Sequence, residues 1–422
     1  HCEKRRTSTD KPRELEAVQR IQAFVKPTYE HLLDEERLNQ YLLMFEEYKV
    51  VGKLLEGTEE IREFVELLND MSELKTDSKY LYCPDNEIKQ NSPMKPFVYV
   101  CTSTGTGKTQ LAFAIANQVP MLLIGEEQWH SDHIYELTHP MRSMFDELFE
   151  HDFGMYPSSV LYHDVEAVYE NDSKLCCLGF LYALWERMIA LKTPELTWIE
   201  VQSSVVVYEL NFEALTIHES SAKFEQLFAQ NKEKLGGNHP VIFFDEFERR
   251  QTENALTFGK FALLRMTGIV VVLTGGRERF KPEWEELSIP KLDCRPFCVM
   301  FTKLPGYPEA LLEERLALIR ESVIQSTDIP IVQDRLDFLS MIEAAIFKER
   351  PGSIACAMEV LKQIAVDPNI CDPESLLQDL LKRLYNKHYR AFWNLRHFRT
   401  AQVYFAASRA ELHFGFPVKH FG

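Results

Sequence analysis

Apolar residues recur at helical spacing at both ends of this chain and bunch into short unbroken runs between. From about Glu14 to Met71 the pattern is helical. Leu38, Leu42, Phe45 and Tyr48 share a face, and Ile61, Phe64, Val65 and Leu68 repeat the i, i+3, i+4, i+7 spacing. Thr58 after Gly57 predicts an N-cap, with Glu59 and Glu60 in the positive first turn. Two or three helices follow from this pattern. The stretch near 72–96, with Asp85-Asn86 and Asn91-Ser92-Pro93, reads as a linker.

The runs then change character. Phe97-Val98-Tyr99-Val100-Cys101, Pro120 to Gly125, Val241-Ile242-Phe243-Phe244, Gly268 to Leu273 and Pro296 to Phe301 predict buried strands. Val205-Val206-Val207-Tyr208 adds a further strand candidate. Helical spacing separates them: Gln110 to Ala116, a helix opened by Asp172-Ser173 and running to about Leu191, and one near 218–235 stopped by Gly236-Gly237-Asn238. Another passes through Leu256, Phe261, Leu263 and Leu264. Beyond the last strand, helices are predicted over 306–324 and 333–348, and from Arg350-Pro351-Gly352-Ser353 through Ile364 with Ser353 as N-cap. Asp372-Pro373 opens one more, with Leu376, Leu377, Leu380, Leu381 and Leu384 in stripe. The expected architecture is α/β. It comprises a helical N-terminal domain (1–90), a parallel-sheet core (91–305, with an insert at about 126–200), a helical lid (306–370) and a helical C-terminal segment (371–422).

Length fits that division, because 422 residues exceed what one core usually organises. An apolar fraction of 45% with 12% aromatics excludes a wholly disordered chain. No run approaches the roughly 18 apolar residues of a membrane span, so no membrane partner is expected. The nine cysteines form no Cys-x-x-Cys pair and sit mostly in apolar runs, as buried thiols of a reducing, intracellular compartment do. His130, His133, His139, His151 and His163 are scattered among carboxylates at spacings that match no metal-ligand pattern. Beginning at His1 and ending at Gly422, the chain is expected to have a leading segment before it and a further module after it. Net charge is −17, yet residues 380–422 hold eight Lys/Arg against one acid, Glu411. Tyr385, Tyr389, Phe392, Trp393 and Phe398 interleave those cations. Such a segment suits nucleic acid, charge meeting phosphate and rings stacking on bases; it suits equally a helix with a basic solvent face.

The candidate chemistry begins where the first strand breaks. Gly105-Thr106-Gly107-Lys108-Thr109 lies between strand and helix, the context in which successive N–H groups cradle phosphate at a helix N-terminus. Thr102, Ser103, Thr104, Gly105, Thr106, Gly107, Lys108, Thr109 and Gln110 form the expected cradle, with Thr102 where the usual pattern has Gly. Lys108 would reach the β- and γ-phosphates, and the Thr109 hydroxyl would ligate magnesium. A second signature is the strand ending in Asp245-Glu246: Asp245 would hold magnesium through water, and Glu246 would activate the attacking water. A third strand ends at Thr274, a candidate γ-phosphate sensor, followed by Arg277 and Arg279, either of which could neutralise transition-state charge or lie in solvent. Arg350 could reach the phosphates from the lid or make a helix-entry salt bridge.

Together these residues resemble the AAA-plus and STAND branch of P-loop NTPases. More narrowly, Cys101 through Leu111, Phe244-Asp245-Glu246-Phe247, Leu263-Leu264-Arg265 and Thr267 through Val272 resemble the NTPase module of Crinkler-type effectors and retrotransposon-hotspot-like proteins. The resemblance covers about 96 to 360, and Thr102 and the Gly275-Gly276 pair before Arg277 depart from the wider pattern. It implies an ATP-driven switch or motor for attached modules, action in the nucleus of a host cell, and a nucleotide-dependent homo-oligomer. The expectation is therefore an ATPase using ATP and Mg2+, since no Asn/Thr-Lys-x-Asp guanine-reading segment is present. The alternatives are a binding switch with little hydrolysis, a P-loop kinase, or a nucleic-acid motor.

Overall fold

A strand without polar interruption has no face to give to water, so it lies in a sheet covered on both sides. In the computed structural model five such strands form one sheet: β1 (Phe97–Cys101), β2 (Met121–Gly125), β3 (Val241–Asp245), β4 (Val270–Gly275) and β5 (Cys298–Phe301). Their order is β2-β3-β4-β1-β5, and each neighbouring pair is parallel. The α/β class read from the sequence therefore holds. The structure describes residues 15–16, 18–23, 35–73, 97–102, 106–125, 139–153, 174–205, 207–245, 264, 267–275, 298–325, 332–346 and 351–367. The chain divides into two compact units, one of residues 1–103 and 108–303, the other of residues 104–107 and 304–422.

In the first unit the helices are α1 (Glu35–Leu55), α2 (Glu59–Glu73), α3 (Lys108–Ile115), α4 (His139–Phe153), α5 (Cys176–Leu191), α6 (Trp198–Ser204) and α7 (Ile217–Gln230). Side chains alternate between the faces of a strand. Phe97, Tyr99, Leu122, Ile124, Ile242, Phe244, Val271 and Leu273 join one core with α4, α5, α6 and α7. The alternate residues Val98, Val100, Phe243 and Val272 are equally buried and face the other way. On that side α3 touches β3 and α2 touches β4. Phe64 of α2 also packs its ring 4.7 Å from that of Phe301 in β5.

Thr58 stands at the N-cap position of α2, where its carbonyl accepts from the Arg62 N–H at 3.1 Å. Its hydroxyl makes no hydrogen bond, so the expected side-chain cap is not formed. The helix expected from Asp172-Ser173 begins instead at Cys176, and its N-cap residue Leu175 offers no side-chain acceptor. Asp152 at the end of α4 supplies one, accepting the Cys177 N–H at 2.8 Å. Of the strand expected over Val205 to Tyr208, the described residues form none: Val205 caps the end of α6, and Val207–Glu209 is a single 3-10 turn. Both Val205 and Val207 are buried in the core, and tertiary packing overrides the β-preference of a branched side chain. The helix near 218–235 runs over Ile217–Gln230, where Thr216 and Glu219 form a capping box.

β2 lies at one edge of the sheet. Gln202 of α6, 1% exposed, closes that edge at Leu123. Its amide oxygen accepts the Leu123 N–H at 2.5 Å and its amide nitrogen donates to the Leu123 carbonyl. A side chain thus takes the place of a neighbouring strand.

The second unit holds α8 (Glu309–Gln325), α9 (Val332–Ile346) and α10 (Pro351–Ile364). Ser353 lies within the first turn of α10 rather than capping it; Pro351, lacking an N–H, occupies the first helical position. Buried Arg335 of α9 donates to the carbonyls of Ala365 and Asp367 at 2.8 and 2.7 Å, satisfying acceptors just past the end of α10. No helix among the described residues is long and apolar enough to cross a membrane.

Candidate functional site

The carboxyl edge of the sheet is built by register. Val100 of β1 lies opposite Thr274 of β4, and Phe244 of β3 opposite Leu273, which sets Asp245 level with Thr274. Thr102, Thr274 and Asp245 therefore stand along one edge, with β4 between the strand that leads to the glycine loop and the strand that ends in the acid pair. Two strand spacings separate β1 from β3, about 10 Å. By alternation Thr274 and Asp245 share the face of Val272 and Phe243, the side that carries α3.

Thr274 and Asp245 are both fully buried. The Thr274 hydroxyl donates to Asp245 Oδ1 at 2.6 Å. An ionised carboxylate at zero exposure needs such donors, because removal from water is costly without them. This bond fixes one Asp245 oxygen and orients the carboxylate at the sheet edge.

β1 passes into the loop at Thr102, and α3 begins at Lys108. Gly107, just before it, has φ +94, a left-handed conformation that favours glycine. Lys108 is 9% exposed, and its Nζ donates to the Thr102 carbonyl at 3.4 Å, so the side chain folds back toward the β1 tip. Thr109 follows in the first turn of α3, at the positive end of the helix. The Gln110 side chain turns away, its amide donating to the Tyr48 carbonyl of α1 at 2.7 Å.

α3 is held from behind. The Phe113 ring stands 5.6 Å from Phe45 and 4.9 Å from Tyr48. A Cβ on Gly52 of α1 would come within 2.8 Å of the Phe113 carbonyl carbon, so the two helix backbones approach where only glycine fits.

Of the residues expected at the site, the structure brings Asp245 and Thr274 into direct contact and Lys108 to Thr102. Thr106 and Gly107 lead into α3. Ser103, Thr104, Gly105, Glu246, Arg277, Arg279 and Arg350 lie outside the described residues. Sequence reasoning did not foresee that Tyr99 reaches Gly275 on the opposite face, so close that a Cβ there would collide with its hydroxyl. No family model and no curated protein matches this chain.

Proposed function

We propose that this chain is a P-loop ATPase of the AAA-plus/STAND type, binding and hydrolysing ATP with Mg2+ and using the 306–370 helices as a lid. The observation that carries the reading is the buried Thr274–Asp245 hydrogen bond on the strand pair next to β1. In P-loop enzymes of this type a strand stands between the one leading to the phosphate loop and the one bearing the acid, and the order β3-β4-β1 agrees with that arrangement. Thr109 and Asp245 fit magnesium as hard oxygen donors, and the oriented Asp245 carboxylate would hold the ion through water. When bound, the ion would supply positive charge that offsets the charge developing on the phosphates.

The chain's own residues do the rest. Lys108, folded toward Thr102, swings to the β- and γ-phosphates and replaces the carbonyl as its partner. N–H groups of Gly107 and of the first turn of α3 donate hydrogen bonds to the phosphate oxygens. Glu246, next in the chain to Asp245, takes the proton of the attacking water. Thr274 holds Asp245 in register, and Arg277 or Arg279 would neutralise the charge that develops on the γ-phosphoryl in the transition state. Movement of the lid on hydrolysis would change what attached modules bind.

Calorimetry with ATP tests the site and phosphate release tests the chemistry. Lys108→Ala is expected to abolish ATP binding, and Glu246→Gln to keep affinity while losing turnover. Undiminished affinity in Lys108→Ala refutes the site. Phosphate release unchanged in Glu246→Gln refutes the assignment of the base, and release that appears only with a second acceptor favours a kinase.

A further inference from the structure

We propose that His151, Asp152 and Cys176 bind a divalent transition-metal ion of the zinc class, between the end of α4 and the start of α5. One ligand atom from each residue lies within 4.8 Å of the other two. His151 Nδ1 and Asp152 Oδ1 are 3.2 Å apart. Two ligands on a tetrahedral zinc with ordinary bond lengths stand about 3.4 Å apart. Ring and carboxylate are thus already spaced as a pair of ligands, and the thiol lies within 4.8 Å of both.

The donor set names the metal class. Nitrogen, carboxylate oxygen and sulfur together suit zinc, whereas magnesium and calcium take oxygen alone. Charge points the same way. The Asp152 side chain has zero exposure and Cys176 is 2% exposed, so a thiolate beside that carboxylate would be two buried anions. A divalent cation with a neutral imidazole brings the group to neutrality and removes that cost. Cys176 is also the first residue of α5, where the positive helix end favours the thiolate.

The surroundings behave as outer-shell support. Asp152 Oδ2 is committed to the Cys177 N–H at 2.8 Å, which leaves Oδ1 turned toward His151 and fixes the carboxylate plane. The His151 side chain is 29% exposed, which gives an ion a route from solvent and would let water serve as the fourth ligand. Neither Cys176 nor Cys177 is in a disulfide, so no S–S bond competes for the sulfur. The ion would staple α4 to α5 across the segment between β2 and β3.

Cobalt reports directly on the sulfur. Full-length protein stripped with chelator and titrated with Co2+ is expected to develop a thiolate-to-cobalt charge-transfer band saturating at one equivalent, which zinc bleaches. Cys176→Ser and His151→Gln each lose the band or weaken binding at least tenfold, while Cys177→Ala keeps it. Zinc raises the unfolding temperature of the wild type and leaves that of His151→Gln unchanged; metal-free, these two proteins melt alike, since the altered ring is partly exposed. Absence of the band, its survival in both Cys176→Ser and His151→Gln, or melting of the wild type that ignores zinc overturns the site and leaves a His151–Asp152 contact alone.

Discussion

Replacing Thr274 by Val tests the sheet edge without disturbing its shape. Val is nearly isosteric and equally suited to a strand, so the change removes a hydroxyl and adds a methyl. The lost hydrogen bond runs to a buried carboxylate at 2.6 Å. Bonds to charged groups contribute about 1.5–3 kcal/mol. Burial of the new methyl returns about 0.8 kcal/mol. The net expectation is a loss of about 1–2 kcal/mol. Denaturant unfolding followed by near-ultraviolet circular dichroism measures it, because Trp185 and Trp198 pack edge to face at 6.3 Å inside the same unit. In an Asp245→Ala background the same substitution removes a hydroxyl that no longer has its carboxylate, and the cost should vanish or reverse. A coupling energy of about 1–2 kcal/mol is therefore expected from the double-mutant cycle. Additivity within about 0.5 kcal/mol would mean that β3 and β4 do not meet through these two side chains. Thr274→Ser, which keeps the donor, should stay closer to wild type than Thr274→Val.

Gln202→Ala strips two hydrogen bonds from the covered edge of β2 and leaves the Leu123 N–H and carbonyl buried without them; a loss of about 2–4 kcal/mol and faster exchange of the Leu123 amide are expected. Gly275→Ala drives a Cβ into the Tyr99 hydroxyl and should cost about 1–3 kcal/mol, with most of it restored by Tyr99→Phe in a thermal melt. Burial pushes the Glu200 carboxyl up, but the Lys49 ammonium at 2.5 Å and the Thr197 N–H outweigh it and hold it below its ordinary value. A depressed folded value contributes stability above the unfolded value, lost as pH falls through the folded one. Glu200→Gln, which keeps the capping box, should therefore cost about 0.5–1 kcal/mol at pH 7 and progressively less in urea titrations below about pH 4. Deletion of residues 380–422 should abolish most salt-sensitive DNA binding in fluorescence anisotropy; equal affinity removes that segment as a nucleic-acid contact.

The five strands were legible because each is a short, nearly uninterrupted apolar run, a signal that tertiary context had no reason to overturn. The run at Val205 carried the same signal and misled, since Val205 and Val207 are buried in a core shared with helices, α4 packing on the turn at Val207, rather than in a ladder. α6 left a readable mark in Thr197-x-x-Glu200, which predicts an N-terminus even for a helix of 7 residues. The start of α5 left none: its acceptor, Asp152, comes from another helix, 25 residues back. For the same reason His151 and Asp152 could not be joined to Cys176 by spacing. The edge of the sheet was legible in composition and not in geometry, because the Thr274–Asp245 bond depends on register between strands far apart in sequence.

The backing of α3 carries the argument furthest. A helix of eight residues has too few internal hydrogen bonds to stand alone in water. What stabilises it is contact on two sides, β3 from one and α1 from the other. Phe45, Tyr48 and Gly52 lie at i, i+3 and i+7 on α1, one face turned to Phe113, and Tyr48 also takes the Gln110 amide. The direction of Lys108 and Thr109 is therefore set by a helix more than fifty residues earlier in the chain. Any ligand-driven change at the start of α3 must be felt along α1, and a bulkier side chain at Gly52 must be felt at Lys108. Gly52→Val joins these two ends in one measurement: it should weaken ATP binding without touching a residue of the loop, and unaltered affinity in a folded variant would show that α3 holds its position unaided.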